Sequence, residues 1–567
     1  MQIKGAEAIM ESLLQEKVDT MFGYPGGSIM ITYDALYDYQ DRIHHILTRH
    51  EQGAIHAAQG YARATGKVGV CLATSGPGAT NLITGLADAM IDSTPVVCIT
   101  GQVASHLLGT DAFQETDVVG ISMPVTKWNI QVKRAEDVAD ALSKAFYIAA
   151  SGRPGPVVVD ITKDAQAGLC DFHYTSTTKV RSYVAETLID KQSLIDASEL
   201  INKAKKPMIL FGQGVILGNA EAEFKAFVEK SGIPAAWTLL GTDALPSDHP
   251  LNVGMLGMHG NLGPNLKTNE CDVLIAVGMR FDDRVTGDLS RYAKQAKVVH
   301  LEIDPAEIDK NVKADVAVLG NVKKSLRLLS VLLDERTHEA WLDEFKQCFK
   351  KEYDYVIKDA ITPEDGEITM GEAVRIANEV AGEDSILVTD VGQHQMIANR
   401  YYKHSTSRTS ITSGGLGTMG FGLPAALGAQ VGAPDKTVVL AVGDGGLQMT
   451  IQELTTLAQE NAKVKILLLN NNYLGMVRQW QQLFFEHRYS STPMFNPDFV
   501  KVAEGCRIAA KQVSKREDLQ QSIEEMINHD GAFLLEVKVK MEENVFPMVP
   551  AGASVSDVLL GEDYEAC

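Results

Sequence analysis

"TVVLAVGDGGLQMTIQELTTLAQENAKVKILLLNNN", residues 437–472, decides the fold. Two apolar runs, "TVVLAV" and "VKILLL", are joined by a G-D-G-G turn and an amphipathic stretch. This reads as strand, turn, helix, strand, and a crossover of that kind is right-handed and makes the two strands parallel. The unbroken apolar run Ile466 to Leu469, with Val464 just before Lys465, predicts a strand buried on both faces. Asp444 ends the first strand and Asn471, 27 residues later, ends the second. Their carboxyl ends therefore lie side by side, where α/β sheets bind ligands. Both residues offer hard oxygens suited to Mg²⁺ on a phosphate group. Gly443, Gly445 and Gly446 allow close backbone approach at the start of a helix. Either half alone reads equally well as an ordinary turn; the pairing at this spacing carries the signal.

The same alternation of apolar strands and amphipathic stretches runs through all 567 residues, too long for one core, and predicts parallel sheets covered by helices. The polar segment "CDFHYTSTTKVRSYVAETLIDK" (170–191) reads as a linker, and a charged helical region follows residue 333. Three α/β domains are expected, at 1–168, 190–335 and 365–567, with the first and third alike in layout. Lys and Arg number 52 against 73 Asp and Glu, a formal charge of −21. With no long basic block, nucleic acid and anionic lipid are not expected partners. No apolar stretch reads as a membrane span or a signal peptide, and the seven scattered cysteines form no C-x-x-C pair, so a reduced cytoplasmic enzyme is expected.

The GDG…NN arrangement matches the thiamin diphosphate motif, and nearly the whole chain resembles the catalytic subunits of the biosynthetic acetolactate synthase family. The resemblance implies α/β domains of the doubly wound parallel type in the order pyrimidine-binding, FAD-binding, diphosphate-binding. It implies Mg²⁺ on Asp444, Asn471 and the Tyr473 carbonyl. In "TRHEQGAIHAAQGYARATG" (48–66), Glu51 matches the single glutamate that faces the cofactor's aminopyrimidine ring. Read alone it is a first-turn acid favoured by the helix dipole. "YPGGSIM" (24–30) and "TDAFQET" (110–116) match active-site loops, which carries over Gly26, Gly27, Phe113 and Gln114 as neighbours of substrate; turn glycine and core aromatic are the plain readings. Gly392, Gln393 and His394 of "DVGQHQM", with Gly475 and Met476, fall near the diphosphate, and Met419 props the cofactor's bent shape.

"VGMRFDDRVTG" (277–287) resembles the flavin-containing branch. FAD contacts carried over are Arg153, His259, Gly278, Met279, Arg280, Glu302, Ile303, Asp304 and Asn321, the last where the family often has aspartate. No G-x-G-x-x-G fingerprint is present. Arg284 matches the arginine that receives the second substrate's carboxylate; a surface pair with Asp282 or Asp283 is the alternative. Trp480 matches the tryptophan that narrows the acceptor pocket, with a core or lid anchor as the alternative. Ala104 replaces a common proline, and "AGASVSDVLL" (551–560) is less glycine-rich than usual, both near the substrate channel.

The implied reaction decarboxylates pyruvate on thiamin diphosphate. It transfers the two-carbon unit to pyruvate or 2-ketobutyrate, an early step of branched-chain amino-acid synthesis, with FAD structural. A homodimer or larger assembly and a small regulatory subunit are the implied partners. A pyruvate oxidase-like flavoenzyme is the rival reading.

Overall fold

The computed structural model describes residues 2–562 and the backbone of 564–565; Cys567 lies outside them. Three six-stranded sheets, every strand parallel to its neighbours, form the frame. In the first the strands lie in the order His44–Leu47, Thr20–Gly23, Gly69–Ala73, Val96–Gln102, Val157–Thr162, Trp128–Val132. In the third the order is Ser410–Thr412, Ile386–Thr389, Val438–Gly443, Lys465–Asn470, Phe533–Lys538, Ala509–Val513. Numbered along the chain within each sheet, both follow 2-1-3-4-6-5, which gives the expected likeness of layout a topological content. The middle sheet differs: Asn252–Met255, Ala235–Trp237, Pro207–Phe211, Val273–Val277, Lys297–Glu302, Val316–Leu319. That order, 3-2-1-4-5-6, is the one associated with dinucleotide binding at its point of strand reversal.

The inner strands are buried along their whole length, in keeping with their richness in Val, Ile and Leu. Segment 172–190 is an extended connection, and the linking helix Glu339–Glu352 continues through a π-helical turn, Tyr353–Ile357. Among the described residues, no helix is long and apolar enough to cross a membrane, and the six cysteines are free thiols.

The first and third sheets share one hydrophobic core, in which Phe22, Ile46 and Leu86 join Leu440, Ile466 and Leu534. The helices Glu51–Thr65 and Gly422–Gly432 cross at its centre with backbones in contact. A Cβ on Gly428 would run into the Ala57 carbonyl, and one on Gly60 into the Ala425 carbonyl. A buried ion pair reinforces the join: Arg63 donates to Asp92 at 2.8 Å and to the Thr412 carbonyl, while Asp92 accepts the Gly414 and Gly415 N–H groups at 2.8 and 2.7 Å. Gly428→Ala is therefore expected to force the helices apart, at the upper end of the ~1–3 kcal/mol that overpacking costs. Thermal unfolding of the purified variant checks this, and an unchanged Tm would refute it.

Candidate functional site

Strand pairing places Gly443 opposite Leu469, so Asp444 and Asn471 leave the sheet at one edge on adjacent strands. Asp444 is almost fully buried at the first position of the helix Asp444–Met449, and burial pushes its carboxyl up to about 6. Its Oδ2 accepts from Asn496 at 2.6 Å, and Asn496 also reaches Asn470 and Asn472. The asparagine triplet divides its work. Asn470 donates to Glu536 at 2.7 Å, and its Oδ1 accepts the Asn472 N–H at 3.0 Å. Asn472 adopts the left-handed conformation, φ 56°, that turns the chain toward Tyr473. Asn471 accepts the Tyr473 N–H at 3.2 Å and donates to Gln393 at 3.3 Å.

Gly392, Gln393, His394, Met419 and the 443–446 turn line one small cavity with Asn471, Tyr473, Gly475 and Met476. His394 is wholly buried and held neutral, its imidazole pushed down to about 4 by burial. Among the described residues its Nε2 has no hydrogen-bond partner, and a Cβ on Gly443 would lie 2.8 Å from its Nδ1. An unpartnered imidazole nitrogen beside a glycine turn and a buried carboxyl oxygen form a polar pocket that fits a metal-bound diphosphate: the cation would offset the cost of ionising Asp444. Asp390, at the end of a neighbouring strand, ties this wall together by accepting the N–H groups of Val391, Gly420 and Gly422 at 2.8–3.0 Å.

Gly392, Met419 and Met476 also line a cleft of about 1010 Å³, so the two spaces adjoin. Arg284 and Trp480 line this cleft too. The Arg284 guanidinium is 64% exposed, 3.2 Å from Met258 Sδ and only 3.6 Å from Asp283, a weak surface pairing. Asp282 instead caps the backbone N–H of Arg284 and Val285. Trp480 leans on Phe484, ring centroids 5.1 Å apart.

The same cleft is lined by Arg153, His259, Gly278, Met279, Arg280, Glu302, Ile303 and Asn321. Gly278 sits at the strand-reversal point of the middle sheet with φ 55°, and a Cβ there would lie 2.8 Å from the Gly214 Cα, so only glycine leaves that approach open. Glu302, pushed up to about 7 by burial, turns back on its own loop and accepts the Ile303 and Asp304 N–H groups. Asn321 caps the helix Val322–Leu332. His259 is neutral, pushed down to about 3 by burial, with an unpartnered Nδ1. Asp304 does not line the cleft; its Oδ2 binds Arg153 at 3.2 Å, beside Glu307 at 2.8 Å. The size of the cleft and its placement at the switch point fit a dinucleotide.

Glu51, Gly26, Gly27, Phe113 and Gln114 line neither space. They gather on the first sheet. Glu51 is largely buried at the first position of its helix, accepting from Asn81 at 2.9 Å. A Cβ on Gly78 would sit 3.3 Å from Glu51 Oε1 and 2.8 Å from Thr74, and Thr74 packs on Gly26. Gln114 lies against Gly76, whereas Phe113 is 88% exposed. The chain thus presents two partial sites on two sheets. Asn81, Asn496 and Asp390 escaped the sequence reading. For Asp390 a signal existed, an acid closing an apolar strand as Asp444 does; for the asparagines there was none.

Three family profiles match in order: the N-terminal TPP binding domain of thiamine pyrophosphate enzymes at residues 3–121, the central domain at 194–329, and the C-terminal TPP binding domain at 390–537. The chain is 46% identical to the acetolactate synthase isozyme 2 large subunit of Escherichia coli over 558 residues, covering 98% of this chain and 99% of that one. It is 45% identical to the acetolactate synthase large subunit of Corynebacterium glutamicum (98% and 90% covered). It is 44% identical to a probable acetolactate synthase large subunit of Methanocaldococcus jannaschii (98% and 95% covered).

Proposed function

The chain belongs to the acetolactate synthase large-subunit family of thiamine pyrophosphate enzymes, and on that premise we propose that it makes acetolactate from pyruvate and accepts 2-ketobutyrate as alternative second substrate. The observation that carries this reading is the shared wall of Gly392, Met419 and Met476 between the Asp444–Asn471 cavity and a cleft lined by Arg284 and Trp480. Thiamine pyrophosphate, when bound, supplies the carbanion chemistry that 2-ketoacid decarboxylation and two-carbon transfer require.

The chain's own residues bind, orient and move protons. Asp444, Asn471 and the Tyr473 carbonyl are the oxygen donors for Mg²⁺, and Asn496 orients Asp444. His394, neutral, lies beside the diphosphate space, and Gln393 holds Asn471 in place. Met419 and the Gly445 turn shape the wall beneath the cofactor. Glu51 holds a proton against the aminopyrimidine, with Asn81 fixing its carboxylate. Arg284, loosely tied and open to the cleft, receives the second 2-ketoacid's carboxylate. Trp480 narrows the acceptor space, where one methylene is worth only ~1–3 kcal/mol.

FAD, in a structural role, is assigned to the middle domain along Arg153, Gly278, Met279, Arg280, Glu302, Ile303 and Asn321, with His259 alongside and Asp304 behind Arg153. A homodimer is assigned because the Glu51 cluster and the Asp444 cavity are separate within one chain, and the exposed Phe113 offers an apolar face for a second copy. A small regulatory subunit and a cytoplasmic setting complete the reading.

Acetolactate measured colorimetrically from pyruvate, with each cofactor omitted in turn, tests it. Product should require thiamine pyrophosphate and Mg²⁺, form equally without oxygen, and leave flavin oxidised. Oxygen-dependent turnover with flavin reduction would favour an oxidase instead.

A further inference from the structure

The turn that carries Glu51 is held by the third domain. Glu453 closes the short helical segment Ile451–Glu453, which follows directly on the helix Asp444–Met449, so a single run of chain connects it to the Asp444 turn. Its side chain is completely buried. Both carboxylate oxygens accept the Arg49 N–H, at 3.0 and 3.1 Å. Thr456 donates to Oε2 at 2.6 Å. On the first turn of the Glu51 helix, a Cβ on Gly53 would lie 2.5 Å from Glu453 Oε1.

A helix begins with backbone N–H groups that have no partner inside it. Here His50 Nδ1 accepts the Gln52 N–H at 3.1 Å from within the same turn. Glu453 takes the Arg49 N–H, two positions before Glu51, from 404 positions away. Charge-assisted hydrogen bonds in a buried setting are short and directional, so they fix backbone position more firmly than packing alone. The Arg49 guanidinium takes no part in them: it binds the Leu47 carbonyl at 2.6 Å and Gln459 at 2.8 Å. The Glu453 carboxylate therefore acts on the main chain at Arg49, at the base from which Glu51 projects.

We propose that Glu453 is a positioning residue for Glu51, setting through the Arg49–His50 backbone the point from which the Glu51 carboxylate meets the pyrimidine ring; the inference rests on the role given to Glu51 above. Glu453 reaches no part of either cavity, so its influence passes entirely through that backbone. It also makes the segment that begins at the metal-binding turn and the turn that presents Glu51 one mechanical piece.

Glu453→Gln tests this, because the amide preserves shape and volume while removing one of the two acceptors and the charge. In the cofactor-free protein, deuterium uptake at the Arg49 amide should rise at least tenfold. Glu460→Gln, which alters the exposed contact to His44 between the same two segments, should leave it unchanged. In the loaded enzyme, exchange of the thiazolium C2 proton, followed by quench and NMR, should slow at least tenfold, towards the ~100-fold cost of a misplaced reacting group. Cofactor affinity should hold. Adding Glu453→Gln to Glu51→Gln should slow exchange no further. Unchanged amide protection, unchanged C2 exchange, or additional slowing in the double variant would each overturn the proposal. Wild-type C2 exchange in Glu51→Gln alone would refute the Glu51 assignment itself, and this inference with it.

Discussion

Glu51→Gln should lower acetolactate formation by ~10²–10⁴-fold, the range that a positioned acid–base group contributes, while thiamine pyrophosphate and Mg²⁺ bind almost as before. The separation of effects follows from geometry. Glu51 lies on the first sheet with Asn81, Thr74 and Gly78 around it and lines neither cavity at the diphosphate end. Glutamine keeps the size and can still accept the Asn81 hydrogen bond, so the turn should survive. What it loses is the ability to take and return a proton. Cofactor titration by fluorescence quenching, alongside the rate from pyruvate, separates the two; near-normal turnover would sink the assignment of Glu51.

Asp444→Ala should do the opposite. Binding of thiamine pyrophosphate should become Mg²⁺-independent and weaker by more than the ~10–100-fold that changes to partners of metal ligands cost. The metal-free protein should not suffer. Burial pushes the Asp444 carboxyl up to about 6, so the group is held in place at a cost, and its removal leaves Asn496 with Asn470 and Asn472 as acceptors. The cofactor-free Tm should stay level or rise, and the rise in Tm that cofactor and Mg²⁺ give the parent by mass action should vanish. A variant whose Tm still climbs with cofactor and Mg²⁺ would remove Asp444 from the metal set.

Which parts of this were legible in the sequence follows from the range of the interactions. Apolar runs such as "TVVLAV" and "VKILLL" announce themselves because both faces are buried, and the strand-end residues Asp444 and Asn471 come with them. Short strands such as Ser410–Thr412 at a sheet edge, and Asn252–Met255 with Asn252 and a left-handed Gly254, owe their state to pairing more than to local preference. Arg284 and Trp480 could be named but not located, since their meeting at one cleft depends on how the middle and third sheets are set together. Asn496 and Glu453 were invisible for the same reason. One meets Asp444 across 52 positions and the other Arg49 across 404, and nothing in either local sequence marks the partner. The strand order of the middle sheet was likewise out of reach without a glycine fingerprint.

The crossing of Gly60 and Gly428 bears on how the chain is born. An N-terminal unit normally folds as it leaves the ribosome, but here the faces of Ala57 and Phe22 wait for Ala425 and Phe421. At ~5–20 residues per second, roughly 20–75 s of synthesis separate residue 57 from residue 428. For that interval a half-built apolar surface stands open to self-association, so the yield of active protein should depend on chaperone supply and on translation rate. Pieces cut between the domains would keep that surface bare permanently.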